Sequence, residues 1–250
     1  MHLEPWQWAL VVAGAFLVGV SKTGIVGIGV LFVAIFANVL PARQATGFVL
    51  PLLIFGDVIA VASYRQHTVW SHLWRLFPST ALGVLLGTLA LGQLDDAATR
   101  RLVGGIILAM SALHVWRKLR ARHGRQDEEL VTSAPPGFAV AAGVLAGFTT
   151  QVANAAGPVM VLYLLAMRLP KMEFLGTGAV FFLCLNLFKA PFMAGLGMIT
   201  AASFCANLLL APAVVAGALA GRWLVHRINQ RWFELIALAL TLAAGVKLLF

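Results

Sequence analysis

Lys22 stands among glycines inside an apolar stretch. The segment runs Leu17-Val-Gly-Val-Ser-Lys-Thr-Gly-Ile-Val-Gly-Ile-Gly-Val-Leu31. A charge at bilayer depth costs roughly 2.5 to 3.5 kcal/mol on insertion scales, so it requires a partner or a ligand. Glycines allow close approach of the backbone. The free N–H groups of a helix starting at such a break favour anions. Ser21 and Thr23 add hydroxyl donors, so Ser21-Lys22-Thr23-Gly24 reads as the parts of a dehydrating anion site. The bland alternative is a lysine that snorkels to the interface from a loop between two short helices.

A second break repeats the first. Gly147-Phe-Thr-Thr-Gln-Val-Ala-Asn-Ala-Ala-Gly157 has its outer glycines at the separation of Gly19 and Gly29. Thr149, Thr150, Gln151 and Asn154 offer neutral donors where the first half has a lysine. Interhelical hydrogen bonding in a packed bundle is the competing reading. Asp57 lies midway along an apolar run. A buried carboxylate there either pairs with a cation, Lys22 or Lys189, or carries a coupling proton. Asn186 and Lys189 are one helical turn apart and face the same way. Pro191 follows them and removes a backbone hydrogen bond. For Lys189, too, the alternative is a side chain that reaches the interface.

The elements that position these residues must sit in a membrane. The chain is 61% hydrophobic and 11% charged, where a soluble surface needs about a quarter. Runs near the roughly 20 residues that cross a bilayer lie at Ala45–Tyr64, Trp74–Leu94 and Ala98–Trp116, and again at Phe174–Leu196, Phe204–Val225 and Trp232–Leu249. A glycine-broken stretch precedes each set: Trp6–Leu40 and Phe138–Leu169. The net charge of +9 belongs to cytoplasmic loops, not to a nucleic-acid face. Cys184 and Cys205 read as small buried apolar residues. No His, Cys or carboxylate cluster has metal-ligand spacing, and no nucleophile–base pair appears. The N-terminus shows no removable signal peptide.

The two halves match in order. Pro78-x4-Gly83-x3-Gly87 has the spacing of Pro212-x4-Gly217-x3-Gly221, Pro41 and Gly47 match Pro170 and Gly176, and Asp57 falls opposite Asn186. Such a series points to an internal duplication, with the Gly-x3-Gly pairs as close helix packing. Placing Arg117–Arg125 in the cytoplasm puts Arg65, Arg75, Arg168, Lys171, Arg222, Arg227 and Arg231 there too. The Pro41-Ala-Arg43 turn, Arg100 and Arg101 fall outside. This count favours opposite orientations for the halves. The expected fold is an all-α polytopic membrane protein of two inverted repeats, each a glycine-broken helical hairpin plus three transmembrane helices. Residues 1–116 form the first repeat, 117–135 a cytoplasmic linker and 136–250 the second repeat of one integral membrane domain.

The chain resembles the TauE/SafE sulfite exporter family, also called the sulfonate uptake permeases, from about Leu10 to Phe250. The resemblance rests on Ser21-Lys-Thr-Gly24 with Gly27 and Gly29, Leu50-Pro51 with Asp57 and Tyr64, Ala156-Gly-Pro158 with Tyr163-Leu-Leu165, Gly176-Thr-Gly178 and Asn186-Leu-Phe-Lys189. Lys22 puts the chain with the lysine-bearing subset. The resemblance implies a bacterial inner-membrane carrier of sulfite, sulfonates or related organosulfur anions.

The expected function is therefore a secondary carrier working by alternating access, with no enzyme activity and no cofactor. The expected substrate contacts are Ser21, Lys22, Thr23, Gly24, Thr150, Gln151, Asn154, Asn186 and Lys189, with Asp57 in coupling or charge balance. The donors suit a carboxylate as well as a sulfonate, so sulfur specificity comes from the resemblance alone. The partners are a small anion and the lipid bilayer. A proton as the coupling ion and a homodimer as the assembly stay open. A passive anion channel, a redox relay through the cysteines and a membrane scaffold are the rival readings.

Overall fold

A computed structural model describes residues 4–25, 28–40, 42–90, 96–123 and 136–249. Gly27, Pro41, Arg125 and most of the expected linker, named above, lie outside the described residues. All regular structure among the described residues is helical: α1 (Pro5–Thr23), α2 (Gly29–Val39), α3 (Ala42–Tyr64), α4 (Trp70–Ala90), α5 (Asp96–His123), α6 (Pro136–Ala153), α7 (Ala156–Ala166), α8 (Lys171–Gly195), α9 (Ala201–Arg227) and α10 (Gln230–Leu249), with a 3-10 turn at Arg65–His67.

The apolar runs set these boundaries. Pro5 opens α1 beneath a Glu4/Gln7 capping box, and Thr200 and Ser203 cap α9 in the same way; such boxes satisfy N–H groups that no helical carbonyl can reach. Gln44–His67, Trp70–Ala90, Lys171–Gly195 and Ala201–Arg227 are long and apolar enough to cross a membrane. They cover four of the six expected crossings. The other two, α5 and α10, are helices over the expected segments but do not reach that threshold among the described residues. In α5 the apolar part is Arg101–Trp116, bounded by the arginines at its ends.

The chain divides into two units, each drawing on both halves of the sequence. One holds residues 1–70 and 171–233, the other 71–170 and 234–250. In the first, Val11, Ala15 and Val18 of α1 join Phe32 and Phe36 of α2, Phe48 and Leu52 of α3, and Leu210 and Val214 of α9 in one buried apolar cluster. In the second, Val103 and Ile107 of α5 pack with Val152 of α6.

Each unit contains a close helix crossing, and these two crossings use the same register. In the first, a Cβ at Gly19 would strike the Val214 carbonyl and Ala218 N–H, and one at Gly217 would strike the Phe16 carbonyl. In the second, a Cβ at Gly147 would strike the Thr80 carbonyl and Val84 N–H, and one at Gly83 the Val144 carbonyl. Every member of the first set maps onto the second at the spacings read from the sequence. Small residues let helix backbones touch where lipid offers no hydrophobic drive for association.

Within the first unit, α3 and α8 run antiparallel. Gly47, near the start of α3, meets Met198 beyond the end of α8; Gly176, near the start of α8, meets Tyr64 and His67 at the end of α3. The two helices therefore pack along their length, and Asp57 and Asn186 meet between those two contacts.

Candidate functional site

The first break falls at the end of α1, and it is held from two sides. Gly24 N–H bonds the Val20 carbonyl, which closes the helix at Thr23. Thr23 Oγ1 donates to the Ala218 carbonyl of α9 at 2.6 Å and to Gly19 of its own helix. Tyr64 OH, at the end of α3, donates to the Thr23 carbonyl at 2.6 Å. The orphan carbonyls of a helix end are thus partly satisfied by a phenol from the neighbouring helix. Ser21 donates to the Val18 carbonyl, so the protons of both hydroxyls at this break are spent on backbone. Gly24 has a packing reason to be glycine, because a Cβ there would meet the Gly221 backbone.

Lys22 occupies the last turn of α1. The break therefore presents this lysine on a helix C-terminus rather than beside free N–H groups. An ammonium is favoured there by the negative end of the helix dipole. Its Nζ lies 2.8 Å from Asp57 Oδ1 and 4.5 Å from the ring centroid of Phe182 on α8, within cation–π range. Lys22 Cγ packs on Gly56, where a Cβ would sit 3.1 Å from it.

Asp57 is fully buried. Its Oδ2 accepts a hydrogen bond from Asn186 Nδ2 at 2.6 Å. Lys189 is also fully buried within the protein and feels the charges of both Lys22 and Asp57. Helices α1, α3 and α8 thus bring Lys22, Asp57, Asn186 and Lys189 together: two lysines and one carboxylate. Removing a buried ion pair's partner is costly because the remaining charge has lost its water.

The second break lies in the other unit. Helix α6 ends at Ala153, Asn154 adopts a left-handed φ of 51°, and α7 starts two residues later. Asparagine tolerates that conformation better than most side chains. Gln151 is fully buried; its Nε2 donates to Thr88 Oγ1 on α4 at 2.9 Å. Its Oε1 is buried with no protein partner. Gly87 makes room for this side chain, since a Cβ there would meet Gln151 Cβ at 2.7 Å. Thr149 donates to the Leu145 carbonyl, and Thr150 is buried.

Phe182, Tyr64 and Thr88 contact the site residues without having been singled out as contacts from sequence. A positional signal exists for the first two. Phe182, Asn186 and Lys189 fall on one helical stripe, and Tyr64 lies two turns from Asp57. The cysteines correct their expected burial: Cys184 and Cys205 are both exposed, on helices long and apolar enough to cross a membrane.

The family model described as "Sulfite exporter TauE/SafE" matches residues 11–248. No curated protein and no solved structure matches the chain.

Proposed function

This chain belongs to the TauE/SafE sulfite exporter family of membrane transporters, and we propose that it is a secondary carrier of a small organosulfur anion across the bacterial inner membrane. The observation that carries the site assignment is the buried cluster at the end of α1, where Lys22 and Lys189 share one carboxylate, Asp57. Two ammonium groups, Lys189 fully buried and Lys22 partly so, need more negative charge than one carboxylate supplies. Lys22, Asn186 and Lys189 are the proposed substrate donors, with Ser21, Thr23 and Gly24 shaping the break. Thr150, Gln151 and Asn154 are proposed contacts in their own unit.

Alternating access through inverted repeats is the proposed mechanism. It draws support from α3 and α8, equivalent in the two halves, which run antiparallel and meet through Asp57 and Asn186. Exchange of conformations between the repeats would supply the inward- and outward-open states.

The test is a thermal-shift panel of sulfite, thiosulfate, taurine, sulfoacetate and simple carboxylates on purified protein, followed by counterflow in liposomes. Binding raises apparent stability by mass action. At least one anion is expected to stabilise the wild type and not Lys22→Gln, and unlabelled anion is expected to stimulate uptake of labelled anion. Equal shifts in both proteins would remove the site. Flux without counterflow would indicate a channel.

A further inference from the structure

We infer that the Asp57 carboxylate is a resident stand-in for the transported anion, and that a monovalent oxyanion takes its place between Lys22 and Asn186. This rests on the proposed site at α1 and goes further by naming the ligand's charge and the group it displaces.

Three observations carry it. The two side chains best suited to hold an anionic head, Lys22 and Asn186, are both engaged by Asp57, one on each oxygen: 2.8 Å to Oδ1 and 2.6 Å to Oδ2. The carboxylate thus already displays what the donors accept, a head of two oxygens bearing one charge. Oδ1 has no hydrogen-bond donor beyond the Lys22 ion pair, so the carboxylate is not locked in place by a complete set of bonds. Lys189 lies on the same stripe of α8 as Asn186 and senses both charges.

The charge count then sets the ligand. In the cluster itself the charged side chains are Lys22 at the end of α1, Asp57 on α3 and Lys189 on α8. With all three ionised their formal sum is +1, two lysines against one aspartate. A single monovalent anion makes the set neutral. When that anion settles against Lys22 and Asn186, Asp57 turns to Lys189, and each cation has its own anion. A dianion would overcharge the set and is disfavoured, because an uncompensated buried charge is expensive. Singly charged sulfonates, hydrogen sulfite and monocarboxylates fit this class, and the doubly charged sulfoacetate does not. Sulfate and thiosulfate do not.

The experiment measures Kd for methanesulfonate, which stays singly charged across the neutral range, and for sulfate. Full-length protein is used as wild type, Asp57→Asn, Lys189→Gln and the Asp57→Asn/Lys189→Gln double variant. Asp57→Asn removes the competitor and is expected to bind methanesulfonate at least tenfold tighter and to gain sulfate binding. Lys189→Gln removes the alternative partner of Asp57 and is expected to bind at least tenfold more weakly. The double variant keeps Lys22 as the one charge of the cluster. It is expected to regain wild-type affinity or better, which a merely structural role for either residue would not produce. It also serves as the folded control if Asp57→Asn does not accumulate.

The inference is overturned if Asp57→Asn binds no tighter than wild type, if the double variant is no better than Lys189→Gln, or if wild type prefers sulfate. Adding Lys22→Gln to the double variant separates the two levels. If methanesulfonate affinity survives that change, the site itself is misplaced. If affinity depends on Lys22 while Asp57→Asn fails to tighten it, the site stands and the stand-in role falls.

Discussion

Lys22 and Asp57 were legible in the sequence because a charge in an apolar run is anomalous wherever it occurs. Their pairing was not, since separation along the chain says nothing about which of two lysines a carboxylate meets. The structure gives the pair a direct consequence. Lys22→Met leaves Asp57 buried without its 2.8 Å partner and is expected to destabilise the protein by about 3 kcal/mol, the low end for a broken buried pair, because Lys189 still neighbours the carboxylate. Lys22→Met combined with Asp57→Leu and Lys189→Met, which leaves no charge in the cluster, is expected to recover much of that loss. Denaturation midpoints in detergent, compared across the three proteins, check it; a triple variant less stable than the single one contradicts the pairing. A milder effect belongs to Thr88→Val, which takes the acceptor from the buried Gln151 amide. It is expected to cost about 1 to 3 kcal/mol, the desolvation penalty of an unmet polar group. A melting temperature equal to wild type would show that the amide finds another acceptor. Phe182 escaped notice for the opposite reason to Lys22: a phenylalanine in an apolar run is ordinary, and only the position of the Lys22 ammonium makes its ring a partner.

At the scale of the element, the Gly-x3-Gly spacing was readable, and the close crossings agree with it because contact between helix backbones tolerates only the smallest side chains. The polarity of the break was not readable. Gly19 through Gly29 marks where a helix fails, but glycine spacing does not say whether Lys22 belongs to the helix that ends or the one that begins. Backbone hydrogen bonding decides it, and Gly24 N–H closing on Val20 puts the lysine on the ending helix. The repeated crossing yields a paired prediction. Gly19→Ala and Gly147→Ala each drive a methyl group into carbonyls of the facing helix. Overpacking costs typically about 1 to 3 kcal/mol, and the equivalence of the two crossings predicts similar losses. Gly105→Ala is the internal control. A Cβ there meets nothing within 4 Å, so it is expected to be neutral or to stabilise α5 by about 0.5 to 1 kcal/mol. Melting temperatures of the three variants decide the matter. Tolerance at Gly19 with damage at Gly147 would mean that the crossings are not equivalent.

The molecule as a whole is described through its two units, and the first is asymmetric from end to end. Lys171 Nζ donates to the Val225 and Ile228 carbonyls at the end of α9, while Gly176 sits against Tyr64 and His67. Tyr64 in turn interacts electrostatically with Arg222. Arg65, Lys171, Arg222, Arg227 and Arg231 therefore gather at one end. The opposite end is marked by Gly47 against Met198 and by Asn207 Nδ2 donating to the Phe48 carbonyl; residues 197–203 there carry no charge. Loop charge alone led to the same grouping, because the bias toward cytoplasmic lysine and arginine acts on short loops whatever the interior does. The bias predicts that the basic end is cytoplasmic. With Cys184 and Cys205 first replaced by alanine, Arg227→Cys is expected to react with a membrane-impermeant maleimide only after cells are opened. Ala202→Cys, exposed at the other end, is expected to react in intact spheroplasts. The reverse pattern would place the substrate cluster, with Lys22 two residues from Gly24 and Tyr64 beside it at the basic end of α3, nearer the outer face. It would also invert the side from which an anion first reaches Lys22.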